Sequence, residues 1–279
     1  MLKANGISYY IKDKALLEGI SFSLAKGEVT SVAGPNGAGK STLIRLLSRD
    51  LVPKTGSFTW RDKPLKSFKE LEMAKQRAVL TQKTQLSMIL QAEEVVMMGR
   101  YPHYKSYPNK QDFDCVQKAM EQTTSDPFAK RIYQQLSGGE QQRVQLARAF
   151  CQIGNEQGPY LLLLDEPLNN LDLQHQHHLL RVCRDFAAAG NCVLIVMHDL
   201  NLAAQYSDKI LLLNQAQQIA YGSPAEVCKA DLLSDVYQIK MQVVSHPTGD
   251  FPLIVVDHST SVPRSGPQKK TLTTNKTIY

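Results

Sequence analysis

The sequence predicts an α/β fold around a parallel sheet that is buried on both faces. Three observations lead there. Two runs are wholly apolar, YLLLL at 160–164 and CVLIVM at 192–197; a helix-like stretch at 173–189 joins them; and GPNGAGKS at 34–41 is a glycine-rich turn between a strand-like and a helix-like segment. Apolar runs of this length suit strands covered by helices on both sides, and parallel neighbours need a helical crossover between them.

The remaining elements follow in order. GISYYI, ISFSL and VTSVA alternate with turns in the first 33 residues, and SFTW at 57–60 adds a short strand. From about 84 to 135 the pattern is polar and helical, punctuated by Pro102, Pro108 and Pro127. Val144, Ala147 and Cys151 then share one helix face. The helix at 173–189 closes on Gly190, residues 200–206 form another, KILLL is a further strand, and QIAYG fits as its hairpin partner. Residues 1–245 are expected to form one domain with a helical subdomain at about 84–148, and 246–279 an extension. Within that extension, 258–279 is rich in Ser, Thr, Lys and Pro and is expected to be a flexible basic tail.

Bulk properties exclude several function classes. The 279-residue chain carries a net charge of +6, but Arg264, Lys269, Lys270 and Lys276 place four of those charges in the tail and leave +2 elsewhere. That is too little for a stripe that tracks a nucleic-acid backbone, so no nucleic-acid partner is expected. No stretch reaches ~18 consecutive apolar residues, and MLKANGISYY lacks the apolar centre of a secretory signal; the chain is expected to stay in the cytosol. Five scattered cysteines without a C-x-x-C pair argue against a disulfide framework or a zinc site.

GPNGAGKS matches G-x-x-x-x-G-K-[ST] in full, with VTSVA as the strand before it and STLIRLLSR as the helix after it. Gly34, Gly37 and Gly39 let the backbone wrap phosphate oxygens that a Cβ would obstruct, and Pro35, Asn36 and Ala38 complete the loop. Lys40 can neutralise the β and γ phosphates of ATP, Ser41 can ligate Mg²⁺, and Thr42 lies within reach of a phosphate. Asp165 and Glu166 follow the YLLLL strand, where ligands gather in open α/β sheets. Asp165 is expected to hold Mg²⁺, directly or through water, and Glu166 to act as the general base or to orient the attacking water. His198 ends CVLIVM in the same way and could bond the γ-phosphate; Gln82, after AVLT, could touch Mg²⁺ and the water. A second anion-binding start lies at QLSGGEQQR, where Ser137 and Glu140 form the capping pattern S-x-x-E around Gly138 and Gly139.

Taken together, GPNGAGKS, Gln82, LSGGE, LLLLDEP, NNLD and His198 resemble the ATP-binding subunits of ABC transporters over roughly residues 1–245, in order and spacing. The resemblance implies a P-loop NTPase with a RecA-like core, an antiparallel β subdomain and a helical signature subdomain. It also implies why two phosphate-binding starts are present. Two copies would meet head to tail, with Ser137, Gly138 and Gly139 of one capping the ATP held by residues 34–41 of the other, and Asp172 of NNLD lying across the interface.

MGRYPHY, RAVLTQ, EQQRVQLARAF, NNLDLQHQHHLL and MHDLNLAAQYSDKILLL look like the importer ATPases for iron-siderophores, vitamin B12 and haem, and are closest to bacterial hemin importers. That resemblance implies a peripheral subunit at the cytoplasmic face of the inner membrane. It would serve two permease subunits fed by a periplasmic haem-binding protein, with permease loops docking near Gln82 and Met97–Tyr101. A soluble ABC ATPase acting on DNA or ribosomes is the rival reading; such relatives carry two cassettes or coiled-coil insertions, and this chain has neither.

Four features depart from the pattern or invite a different reading. Leu168 stands where Thr or Ser commonly follows DEP, and SMILQAEEVV at 87–96 lacks the usual Pro and aromatic residues. The adenine-stacking position falls on Ile11, with Tyr10 as the neighbouring candidate. His175 and His178 share a helix face, which could hold a metal elsewhere; with His177 they are read here as a solvated face rather than as haem ligands.

Overall fold

The computed structural model describes residues 1–81, 88–153 and 158–257. Gln82 and the basic tail therefore lie outside the described residues. A ten-stranded sheet forms the backbone of the molecule, and its two halves differ in kind.

The first half is antiparallel. β1 (Leu2–Ile11) pairs with β2 (Lys14–Leu24) on one side and with β4 (Thr55–Trp60) on the other, and β5 (Lys63–Pro64) closes that edge. Its polar–apolar alternation fits a sheet with one covered face: Leu2, Ile7, Leu17, Ile20 and Leu24 are wholly buried among exposed neighbours. Trp60 is also fully buried, and its indole Nε1 donates to Gln76 Oε1 at 3.1 Å.

The second half is the parallel core: β3 (Val29–Ala33), β6 (Arg77–Leu80), β7 (Leu161–Asp165), β8 (Cys192–Val196) and β9 (Lys209–Asn214), in the order β9–β3–β8–β7–β6. β10 (Gln217–Gly222) forms the expected hairpin with β9 and joins the halves by pairing Gln217 with Glu18 of β2. Every residue of β3, β7 and β8 is buried, which is why residues 161–164 of β7 and the whole of β8 read as unbroken apolar runs, while β3 carries buried Thr30 and Ser31. The sheet separates two cores. Leu161, Leu163, Leu194 and Val196 face α1 (Lys40–Leu47), whereas Leu162, Leu164, Val193 and Ile195 face the opposite helices.

Those opposite helices include α6 (Leu173–Ala188), α7 (Leu200–Tyr206) and the C-terminal half of α5 (Gly138–Gln152). α6 ends near Gly190, whose φ of +90° suits a residue without a Cβ. The helical subdomain packs α3 (Ala92–Met97) and α4 (Lys110–Gln122) against α5 through Val95, Val96, Val116, Met120, Val144 and Ala147. A buried ion pair fixes its corner: Arg100 Nε lies 2.9 Å from Asp112 Oδ1, while Arg100 Nη1 donates to Cys151 O at 2.9 Å. Gly99 is required beside it, because a Cβ there would stand 2.4 Å from Arg148 O of α5.

Elements not read from the sequence are β5, α2 (Glu70–Gln76), α8 (Pro224–Val227), α9 (Ala230–Tyr237) and the hairpin of β11 (Met241–Ser245) with β12 (Pro252–Val256), besides short 3₁₀ turns. Residue 245, expected to close the main domain, is the last residue of β11. The hairpin continues past it and is tied to α7, where Asn201 Oδ1 accepts from Ile254 N at 2.7 Å and Asn201 Nδ2 donates to Ile254 O at 3.1 Å.

Candidate functional site

The carboxyl ends of β3, β7 and β8 lie side by side, so the loops that leave them share one edge of the sheet. Residues 34–39 connect β3 to α1, and their glycines answer to three different demands. A Cβ on Gly34 (φ +143°) would stand 2.0 Å from Leu213 O, and one on Gly39 (φ +108°) 2.5 Å from Leu16 O. Gly37 (φ +80°) has nothing within 4 Å of that position, so its demand is purely conformational. The loop is thus pressed onto β9 and β2 behind and is open in front, as a cradle for a polyanion must be.

In front of it lies a cavity of about 480 Å³ bounded by Asn36, Gly37, Gly39, Lys40, Ser41, Thr42 and Glu166 together with Lys14–Leu16 and Gln215–Ala216. Lys40 is only 5% exposed, and its Nζ donates to the carbonyls of Gly34 at 2.7 Å and Pro35 at 2.9 Å. Burial lowers its affinity for a proton, while Glu166 and Asp165 act in the opposite direction. A buried ammonium bonded to carbonyls that bear no formal charge has an unmet electrostatic demand, and an anion in the cavity would supply it.

The acidic side of the site comes from β7. Asp165, its last residue, sits opposite Val196 of β8 and accepts a hydrogen bond from Ser41 Oγ at 3.3 Å. That register also places Glu166 beside the residues that follow β8: His198 Nε2 lies 2.6 Å from Glu166 Oε1. Glu166 holds a φ of +53°, an unusual backbone state for a non-glycine residue, and Asn169 Nδ2 donates to its second oxygen at 2.9 Å. Phosphate loop, hard oxygen pair and carboxylate–histidine pair thus converge.

Asp165 is 5% exposed, and burial pushes its carboxyl above the ordinary carboxylate range; the Ser41 bond and Lys40 pull the other way. A raised folded value means that the stability tied to this proton is complete below the unfolded value and is lost as pH rises through the folded one. At neutral pH the ionised Asp165 therefore costs the chain stability. Asp165→Asn is expected to raise its melting temperature at pH 7, with the gain shrinking toward pH 4. Calorimetry at the two pH values checks this.

Ser137, Gly138, Gly139 and Glu140 form the start of α5 and do not line this cavity. Ser137 Oγ accepts from Glu140 N at 3.3 Å, and Glu140 Oε2 accepts from Ser137 N at 2.7 Å, a reciprocal capping box. Glu140 also meets Arg131 Nη1 at 2.8 Å, and these bonds hold its carboxyl below the ordinary range. Gly139 is demanded by tertiary packing: a Cβ would stand 2.7 Å from Asn170 O, in the loop that follows Glu166. Asp172 ends that loop and caps α6, accepting from His175 N at 2.9 Å.

Other sequence expectations fare differently. Tyr10 is half-buried and Ile11 exposed, and neither lines the cavity. Lys14–Leu16 and Gln215–Ala216, which do, carry no motif; only the β2–β10 contact brings them there. Leu168 packs against the main core, and its carbonyl accepts from Gln176 Nε2 at 3.3 Å. The solvated histidine face is corrected. His175, His177 and His178 are half-buried and hydrogen-bonded to Asp172, Tyr206 and Gln122 respectively, because α6 packs against α7 and the end of α4. No group of three or more His, Cys, Asp or Glu side chains among the described residues is placed to hold a metal ion.

The model of the ABC transporter family matches residues 17–169. The hemin import ATP-binding protein of Hahella chejuensis is 40% identical over 259 residues, covering 92% of this chain and 100% of the relative. Its counterpart from Gloeobacter violaceus is 41% identical over 270 residues, 96% and 98% of the two chains. Among solved structures, a metal-chelate type ABC transporter in an inward-facing conformation superposes with a TM-score of 0.76 at 25% identity, covering 93% of this chain and 98% of that one.

Proposed function

This chain belongs to the ABC transporter family, and from that premise we propose that it is the ATP-hydrolysing subunit powering haem (hemin) import through a separate permease at the bacterial inner membrane. The observation that carries the chemistry is the convergence of Lys40, Ser41, Asp165, Glu166 and His198 at one edge of the parallel sheet. The observation that carries the substrate is the likeness, along nine-tenths of the chain, to proteins named for hemin import.

The site fits ATP with Mg²⁺. Ser41 Oγ and the Asp165 carboxylate are hard oxygen donors already in contact, and Mg²⁺ is bound by one or two such groups plus phosphate oxygens and water. Gln82 is the proposed third protein contact to the ion and the water. Bound ATP supplies the phosphoryl group that water attacks, and the chain does the rest. Backbone N–H groups of the loop, all but Pro35, with the Thr42 hydroxyl, hold the phosphates, and Lys40 exchanges its two carbonyl partners for phosphate oxygens. Glu166 takes the proton of the attacking water or orients it. His198 turns from Glu166 to hydrogen-bond the terminal phosphate, which frees the carboxylate for that role.

A second copy completes the site. Ser137, Gly138, Gly139, Glu140 and Asp172 stand away from their own chain's cavity, so a head-to-tail pair is the arrangement in which both anion-binding starts serve one nucleotide. ATP would then act as an adhesive between copies, and hydrolysis would release it. Swinging such an equilibrium from 1:99 to 99:1 takes ~5.5 kcal/mol of differential binding.

The pore is assigned to two permease subunits, which this chain would join at their cytoplasmic face; no helix among the described residues is itself long and apolar enough to cross a membrane. Their docking site is a groove of about 630 Å³ between α3 and α4, bounded by Met97, Tyr104 and the well-exposed Tyr101 and Phe113. A periplasmic haem-binding protein would deliver cargo from the other side.

Vesicles reconstituted with this subunit and its permease should take up haem only when ATP is enclosed with the subunit. A second reading, import of another metal chelate, draws on the likeness to the metal-chelate type transporter. ATP-driven uptake of an iron-siderophore without uptake of haem would favour it and overturn the first.

A further inference from the structure

Arg143, on the helix that begins at Ser137, and Asp172, at the end of the loop that follows Glu166, do not touch. His175 stands between them. Its Nδ1 lies 2.8 Å from Asp172 Oδ1, and its Nε2 lies 2.8 Å from Arg143 Nη1. The chemistry of the two neighbours fixes the proton. The Asp172 carboxyl is held below the ordinary range by the backbone and side-chain bonds from His175, so it is an acceptor only, and Nδ1 must donate to it. A guanidinium has donors only, so Nε2 must accept. A neutral imidazole protonated at Nδ1 satisfies both; the other tautomer and the imidazolium fail one contact or both.

Further contacts brace the joint. Arg143 Nη1 also donates to Thr124 O at 2.9 Å, and its guanidinium lies over the Phe128 ring, 5.0 Å from the centroid. His178, one turn along α6, bonds Gln122 O at 2.9 Å. The space left among Arg143, Leu171, His175 and His178 is about 10 Å³, at the lower limit for one water. Two further contacts tie the same parts: Gln142 Nε2 donates to Pro167 O at 3.0 Å, and Gly139 lies against Asn170. Asp172 nevertheless keeps 67% of its side chain exposed, and it faces outward.

We propose that His175 is a positioning residue: held as its Nδ1–H tautomer, it fastens the Asn169–Asp172 loop to α5, so that Ser137–Gly139 and Asp172 meet the second copy's nucleotide as one rigid unit. This deepens the composite-site reading and rests on it. Closure is all-or-none when both groups arrive together, and it weakens when either can lag behind the other.

The test combines a spectrum with kinetics. In wild-type protein labelled with ¹⁵N-histidine, the resonances that vanish in His175→Gln should show the Nδ1–H tautomer; an Nε2–H or doubly protonated ring overturns the proposal. His175→Ala should lower kcat for ATP roughly two- to thirty-fold with KM unchanged, and it should weaken ATP-dependent pairing, while its melting curve reports on folding. His175→Gln, which retains an acceptor for Arg143, should recover part of that loss, and its kinetics decide the matter should the alanine variant not fold. Equal kcat and pairing in wild type and both variants overturn the role of His175 alone. Full turnover by unpaired wild-type protein overturns the composite site, and the role with it.

Discussion

Glu166→Gln is expected to lose ATP turnover by about 10²- to 10⁴-fold, the usual worth of a positioned general base, while still binding ATP. The geometry explains the separation. Gln is nearly isosteric, its carbonyl oxygen can still accept from His198 Nε2, and the exposed Asn169 amide can rotate to accept from the new NH₂. Lys40, Ser41 and Asp165 are untouched, so the phosphate cradle remains. What is lost is the proposed proton acceptor. If hydrolysis releases the paired state, as proposed, the variant should accumulate as an ATP-bound dimer on size-exclusion chromatography. An ATP-loaded protein that elutes as a monomer would count against Glu166 as the base.

The second large effect lies at the other end of the proposed site. Ser137→Arg should abolish turnover without altering ATP binding by a single chain, because Ser137 does not line its own chain's cavity. Loss of the helix cap costs about 1 kcal/mol, too little to unfold a domain of this size. Glu140 keeps its bond to Arg131, so the first turn of α5 retains an anchor. The bulk of the new side chain then stands where the proposed second copy would approach. Equilibrium binding of a fluorescent ATP analogue, measured beside steady-state hydrolysis, separates the two quantities. Weakened binding in the isolated chain would mean that Ser137 acts within its own subunit.

How much of this was legible in the residues depended on the range of the forces involved. The glycines of 34–39, the Ser137–Glu140 box and the apolar strands are local devices, and each declared itself through spacing. Even so, the sequence could not say why Gly34, Gly39 and Gly139 are needed, since their neighbours Leu213, Leu16 and Asn170 are distant in the chain or on another loop. The cavity wall from Lys14–Leu16 and Gln215–Ala216 was invisible for the same reason: it depends on strand order. The β11–β12 hairpin did have a signal, in MQVVS and PLIVV around the turn residues TGD. The expected domain boundary at 245 cuts through it. The histidines of α6 read as solvated because the bonds of His177 to Tyr206 and of His178 to Gln122 require α7 and the end of α4 to be placed first.

The central claim is that one nucleotide is gripped by two chains. Mixing differently tagged Lys40→Ala and Ser137→Arg proteins tests it most directly, for each supplies the half-site that the other has lost. The account predicts an ATP-dependent mixed dimer that retains one occluded ATP, formed by neither variant alone. A mixture that shows no ATP-dependent association, under conditions where wild-type protein pairs, would contradict it.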